Sequence, residues 1–99
     1  MARVYIYHSY KLKEGMSEQD FLHIAEKFSN DPSLKTKGFI SWTLLNDGEI
    51  WSDILVYESM DDFQNANEVI HNNPLAHELG SFFDITSITE HFFTVAADT

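Results

Sequence analysis

Ninety-nine residues without a single cysteine exclude disulfides and thiolate metal sites, while a 43% hydrophobic, 14% aromatic composition excludes a disordered chain. Sixteen acidic against six basic residues give a formal charge of −10, which repels a phosphate backbone and argues against nucleic acid or an anionic membrane as partner. No apolar run is long enough to span a bilayer and the first residues lack a signal-peptide pattern, so the expectation is one cytoplasmic domain over residues 1–99.

Residues 3–12 are rich in tyrosine and β-branched side chains and predict a strand. Lys13-Glu14-Gly15-Met16 is a turn, and Ser17-Glu18-Gln19-Asp20 then has the pattern of a capping box with Ser17 as N-cap. Phe21, Leu22, Ala25 and Phe28 recur at helical spacing as one apolar stripe, which Asn30-Asp31-Pro32-Ser33 terminates. Gly38 opens a second strand over 38–45. Asn46-Asp47-Gly48-Glu49 predicts a hairpin, because Asp-Gly tolerates the positive φ of a tight turn, and a third strand follows through Ile50–Glu58. Ser59-Met60-Asp61-Asp62 repeats the capping pattern ahead of a second stripe, Phe63, Ala66, Val69 and Ile70. Asn72-Asn73-Pro74 stops that helix, 75–80 forms a short extra turn, and 82–95 is the last strand.

The order β-α-β-β-α-β, with two right-handed crossovers and one hairpin, places the strands as 4-1-3-2 in an antiparallel sheet with both helices on one face. This is an α+β, ferredoxin-like arrangement. A sheet with one wet face should alternate cleanly between apolar and polar side chains. Here Val4 and Ile6 oppose Tyr5 and Tyr7, Phe39 and Leu45 oppose Ile40, Trp42 and Leu44, and Ile54 and Val56 oppose Trp51, Leu55 and Tyr57. In the last strand Ile85, Phe93 and Val95 oppose Ile88 and Phe92. Two helices cannot cover both faces, so a homodimer through the sheet face is expected.

Three segments carry a family resemblance: Lys11-Leu12-Lys13-Glu14-Gly15, the run Val56-Tyr57-Glu58-Ser59-Met60-Asp61-Asp62-Phe63, and His71-Asn72-Asn73-Pro74-Leu75-Ala76-His77. Through them the chain resembles the dimeric α+β barrel superfamily, in the layout of the antibiotic-biosynthesis-monooxygenase-like proteins. The resemblance implies two paired sheets, a ligand pocket in each subunit between sheet and helices, and activities such as cofactor-free oxygenation of polycyclic aromatics or isomerisation. Its haem-degrading branch uses an asparagine, a tryptophan and a histidine. Those positions fall on His8, near Ala66 and on or beside His77, so only the histidine matches and no cofactor is expected.

His8 and His77 are the candidate catalytic bases, because imidazole titrates near neutrality. The alternatives are a half-buried imidazole satisfied by a local hydrogen bond for His8, and a solvated helix end for His71 and His77. Neither the spacing of His71 and His77 nor the presence of His91 specifies a metal site. Tyr10, Phe21, Leu22, Phe28, Trp42, Phe63, Phe82 and Phe83 are the candidate ligand-binding residues. Trp42 and Trp51 flank the hairpin, where they could stack across the turn, and core or dimer packing is the default for both over ligand contact. Two functions follow: an oxygenase- or isomerase-like enzyme acting on an apolar or aromatic substrate, or a non-catalytic binder of a lipid-like or aromatic metabolite.

Overall fold

The computed structural model describes residues 2–99. Strand β1 (Val4–Tyr10) leads into helix α1 (Glu18–Ser29), then β2 (Phe39–Asn46), β3 (Trp51–Tyr57), α2 (Met60–His71), α3 (Pro74–Gly80), a 3-10 turn (Ile85–Ser87) and β4 (Thr89–Thr94). The sheet order is β2-β3-β1-β4 with every pair antiparallel, the same arrangement as 4-1-3-2 counted from the other edge. Ser17 and Ser59 cap the two long helices, their hydroxyls accepting from the amides of Asp20 and Asp62. No helix among the described residues is long and apolar enough to cross a membrane.

The core lies between the sheet and the helices. Val4, Ile6 and Tyr10 of β1 and Trp51, Leu55 and Tyr57 of β3 meet Phe21, Ile24, Ala25 and Phe28 of α1 and Phe63 and Ala66 of α2. Trp51 meets Phe21 edge-on at 5.0 Å between ring centroids, and Trp42 meets Phe28 at 5.8 Å. The two tryptophans therefore anchor α1 instead of stacking on each other. Their register explains it: Trp51 pairs with Asn46, while Trp42 pairs four rungs away with Leu55.

A bulge between Phe39 and Ser41 corrects the expected faces of β2. The extra residue, Ile40, breaks the two-residue alternation, so Phe39 joins Trp42 and Leu44 on the helix side, where it meets Tyr57. Leu22 is likewise corrected: it lies 47% exposed on the outer side of α1, and Ile24 takes its place in the buried stripe. The expected strand over 82–95 is shorter. Asp84 accepts from the amide and hydroxyl of Thr86 and folds Ile85–Ser87 into a 3-10 turn, leaving only Thr89–Thr94 as strand. The expected turn at 75–80 is a full helix, α3, opened by Asn73, whose side chain accepts from Leu75 and donates to Asp31.

Among the described residues no helix covers the second face of the sheet, where Val56 is buried and Val95 and Ala97 lie beside Tyr5 and Phe93. This face presents Tyr5, Tyr7, Ile54 and Phe93 beside Ser9, Thr43, Ser52 and Thr89, so apolar and polar side chains mix on it. Phe93 is 54% exposed and Leu45 48%.

Gly38 is the glycine that the fold cannot exchange. Its φ is +83°, and a Cβ there would collide with the Asp62 side chain, whose own Cβ would lie at 2.6 Å. Gly15 has the same φ with open space around it. Gly15→Ala should therefore cost about 1–3 kcal/mol from backbone strain alone. Gly38→Ala should cost more, because β2 or the start of α2 must move; urea midpoints with unchanged m-values would check both.

Candidate functional site

Because β1 and β3 pair His8 with Asp53, and β1 and β4 pair His8 with Glu90, three ionisable side chains stand in one row across the helix-facing side of the sheet. His8 Nδ1 lies 3.1 Å from Asp53 Oδ1, and Nε2 lies 2.6 Å from Glu90 Oε2. The Tyr10 hydroxyl donates to Asp53 Oδ2 at 3.1 Å. Asp53 is thus buried between two donors and held by both of its oxygens. Glu90 sits on the exposed outer strand with its side chain 52% exposed.

These environments set the protonation states. Burial lowers the basicity of His8, but the hydrogen bond and charge of Asp53, followed by those of Glu90, outweigh it and leave its pKa above the ordinary 6.5. Burial, reinforced by the Asp53 charge, pushes the Tyr10 phenol above its usual range, so it remains a donor. With a carboxylate on each side, His8 carries two N–H donors when charged; when neutral it keeps one N–H for one of the two carboxylates and leaves the other nitrogen as an acceptor.

The row opens into a cavity of about 440 Å³ between the sheet and α2 and α3, within the range of small-molecule sites. Phe28, Trp42, Leu55, Phe63, Ile70, Leu79, Phe83 and Ile88 make most of its wall, with His8, Tyr10, Asp53, Asn67, His71, His77 and Glu90 as its polar groups. Of the sequence-predicted residues, His8, His77, Tyr10, Phe28, Trp42, Phe63 and Phe83 are brought together here. Phe21 and Phe82 are not. Phe21 is fully buried behind the wall, and Phe82 packs on it at 5.7 Å. Leu22 faces outward and touches none of the cavity.

His77 reaches the cavity from α3, which packs chiefly against α1, and its Nε2 donates to the His71 carbonyl. His91 lies on the opposite face beside Phe93, remote from the other histidines. No cluster of metal-binding side chains occurs among the described residues. Sequence reasoning misses Asp53 and Glu90. Asp53 has one signal: it alternates with Trp51 and Leu55, putting an acid in the buried row of an apolar strand.

No protein-family model matches this chain, and no curated protein sequence matches it. Solved structures do. A mutant form of SnoaB from Streptomyces nogalater, a cofactor-independent oxygenase, superposes with a TM-score of 0.78 at 17% identity over 97% of this chain and 95% of its own. A dimeric ferredoxin-like protein from an uncultured marine organism gives 0.75 at 16% identity, covering 100% and 92%. A NIPSNAP family protein from Agrobacterium tumefaciens gives 0.69 at 13%, covering 98% and 89%. What this chain shares with an oxygenase, a dimeric ferredoxin-like protein and a NIPSNAP protein is thus one α+β, ferredoxin-like fold running almost from end to end.

Proposed function

We propose that the protein is a homodimeric enzyme of the cofactor-independent oxygenase or isomerase kind, in which His8 takes a proton from an apolar aromatic substrate bound beside it. The observation that carries this is the imidazole held by a buried, doubly engaged Asp53 at the edge of an apolar cavity. Asp53 fixes the ring and its tautomer, as the acid does in a nucleophile–histidine–acid triad, and supports the imidazolium once the proton has moved. The oxygenase action of SnoaB, with which the chain shares its fold, supports the reaction class.

The chemistry balances without a bound group. A carbon acid such as an anthrone loses its proton to His8 Nε2 once Glu90 swings aside, and the carbanion is delocalised onto the ring oxygen. It passes one electron to dioxygen, and the radical pair combines into a peroxide that takes a proton back from His8. Loss of water then forms the new carbonyl, so one CH2 and one O2 become one C=O and one H2O. Without oxygen, returning the proton to a different carbon is an isomerisation. The apolar wall excludes water and strengthens the few polar contacts on the anion.

The homodimer rests on the uncovered sheet face, whose exposed Phe93 and Leu45 need a partner surface, and on the dimeric state of a protein of the same fold. A second function, non-catalytic binding of an aromatic or lipid-like metabolite, is favoured by one observation: both nitrogens of His8 already face carboxylates. Oxygen uptake separates the two. Incubated with a panel of anthrones and 1,3-diketones and no added metal or flavin, the protein should consume oxygen or shift the double bond of at least one substrate. Saturable binding with no change in any substrate would assign it as a binder.

A further inference from the structure

The two carboxylates on His8 are not equivalent. Asp53 is 8% exposed and tied by Tyr10 as well as His8, so it cannot leave. Glu90 is half exposed on an outer strand whose residues are all exposed, and among the described residues its side chain bonds to nothing but His8. We propose that Glu90 occupies an anion subsite, and that the cavity takes an aromatic molecule bearing one ionised oxygen, a carboxylate or acidic phenolate, which displaces it from His8 Nε2. This deepens the assignment of the cavity as the ligand site and is independent of turnover.

The charges support the exchange. Asp53 and Glu90 against one imidazolium leave one net negative charge in the row. A ligand carboxylate on Nε2 keeps a charge-assisted hydrogen bond on each ring nitrogen, while the Glu90 carboxylate turns into the solvent that already reaches half of its side chain. A neutral ligand would leave Nε2–H without its charged partner. Among the described residues no lysine or arginine lines the cavity, and its other imidazoles are His71 and His77. Phe63, Phe83 and Ile88 in the same wall supply the apolar surface for the rest of the molecule.

The test uses the full chain with 2-naphthoate and its neutral counterpart 2-naphthamide, titrated calorimetrically near neutral pH. The wild-type protein should bind the acid about tenfold more tightly than the amide. Glu90→Ala, at an exposed position that should fold normally, should tighten the acid roughly tenfold further, as expected if the closed arrangement is occupied about nine-tenths of the time. Glu90→Gln should fall between, and His8→Gln should erase the preference for the acid. Equal binding of acid and amide, or an acid affinity that Glu90→Ala leaves unmoved or weakens, would overturn the subsite. Failure of both probes to bind overturns it together with the cavity as ligand site. Acid-selective binding without oxygen uptake sustains the subsite and removes only the oxygenase function.

Discussion

Replacing His8 with alanine should lower kcat on an accepted neutral carbon acid, which makes no ionic contact with the imidazole, by about 10²–10⁴-fold while leaving its affinity nearly intact, the usual loss when a positioned base is removed. The affinity should hold because the wall that binds the aromatic body, Phe28, Trp42, Phe63 and Phe83, is untouched. Alanine also strips buried Asp53 of one of its two donors, which by itself destabilises the fold. His8→Gln answers this, since the amide can still donate to Asp53 but cannot accept a proton usefully. It should fold as the wild type and be equally inactive. The wild-type pH profile carries a matching sign. Because the base must be neutral and its pKa is raised, kcat/KM should climb with pH through a midpoint above 6.5. Stability runs the opposite way: a raised folded-state pKa stabilises fully below the unfolded value and fades as pH rises through the folded one.

The second large effect concerns the uncovered sheet face. Ile54→Asp should convert a dimer into single chains, read by sedimentation or native mass spectrometry. Ile54 stands on an inner strand between Tyr7 and Thr43, at the middle of the face that a partner would cover. A standard interface buries about 800 Å² per partner, and an unpaired carboxylate at its centre costs several kcal/mol in desolvation. In a single chain the same residue is only half-buried, so the fold itself should survive. Far-UV dichroism should be unchanged while the mass halves. A wild-type chain that stays single at high concentration would remove the homodimer.

Much of this architecture is legible in the sequence because its signals are local. Ser17 and Ser59 three residues ahead of an aspartate, and Asp47-Gly48 between two strands, fix where elements begin and turn. What the sequence hides depends on information one strand does not carry. The bulge at Ile40 shifts parity by one residue, and no composition signal marks it. Residues 82–88 look like strand until the Asp84 side chain bends them.

The site divides the same way. His8 and the aromatic wall can be found by type, but Asp53 and Glu90 become partners of His8 only through the register of three strands. A residue's neighbours across a sheet are invisible until the pairing is known. The same blindness sets Trp42 against Trp51, where register gives each to α1.

The most direct test of the central claim is the imidazole ¹⁵N spectrum of His8 followed through a titration with 2-naphthol, a neutral aromatic acid. Saturable movement of the His8 nitrogens together with signals of Phe63 and Phe83, and none at Tyr5 or Phe93, is the expected result. Saturation of the protein with the His8 nitrogens unmoved would contradict a base at this cavity.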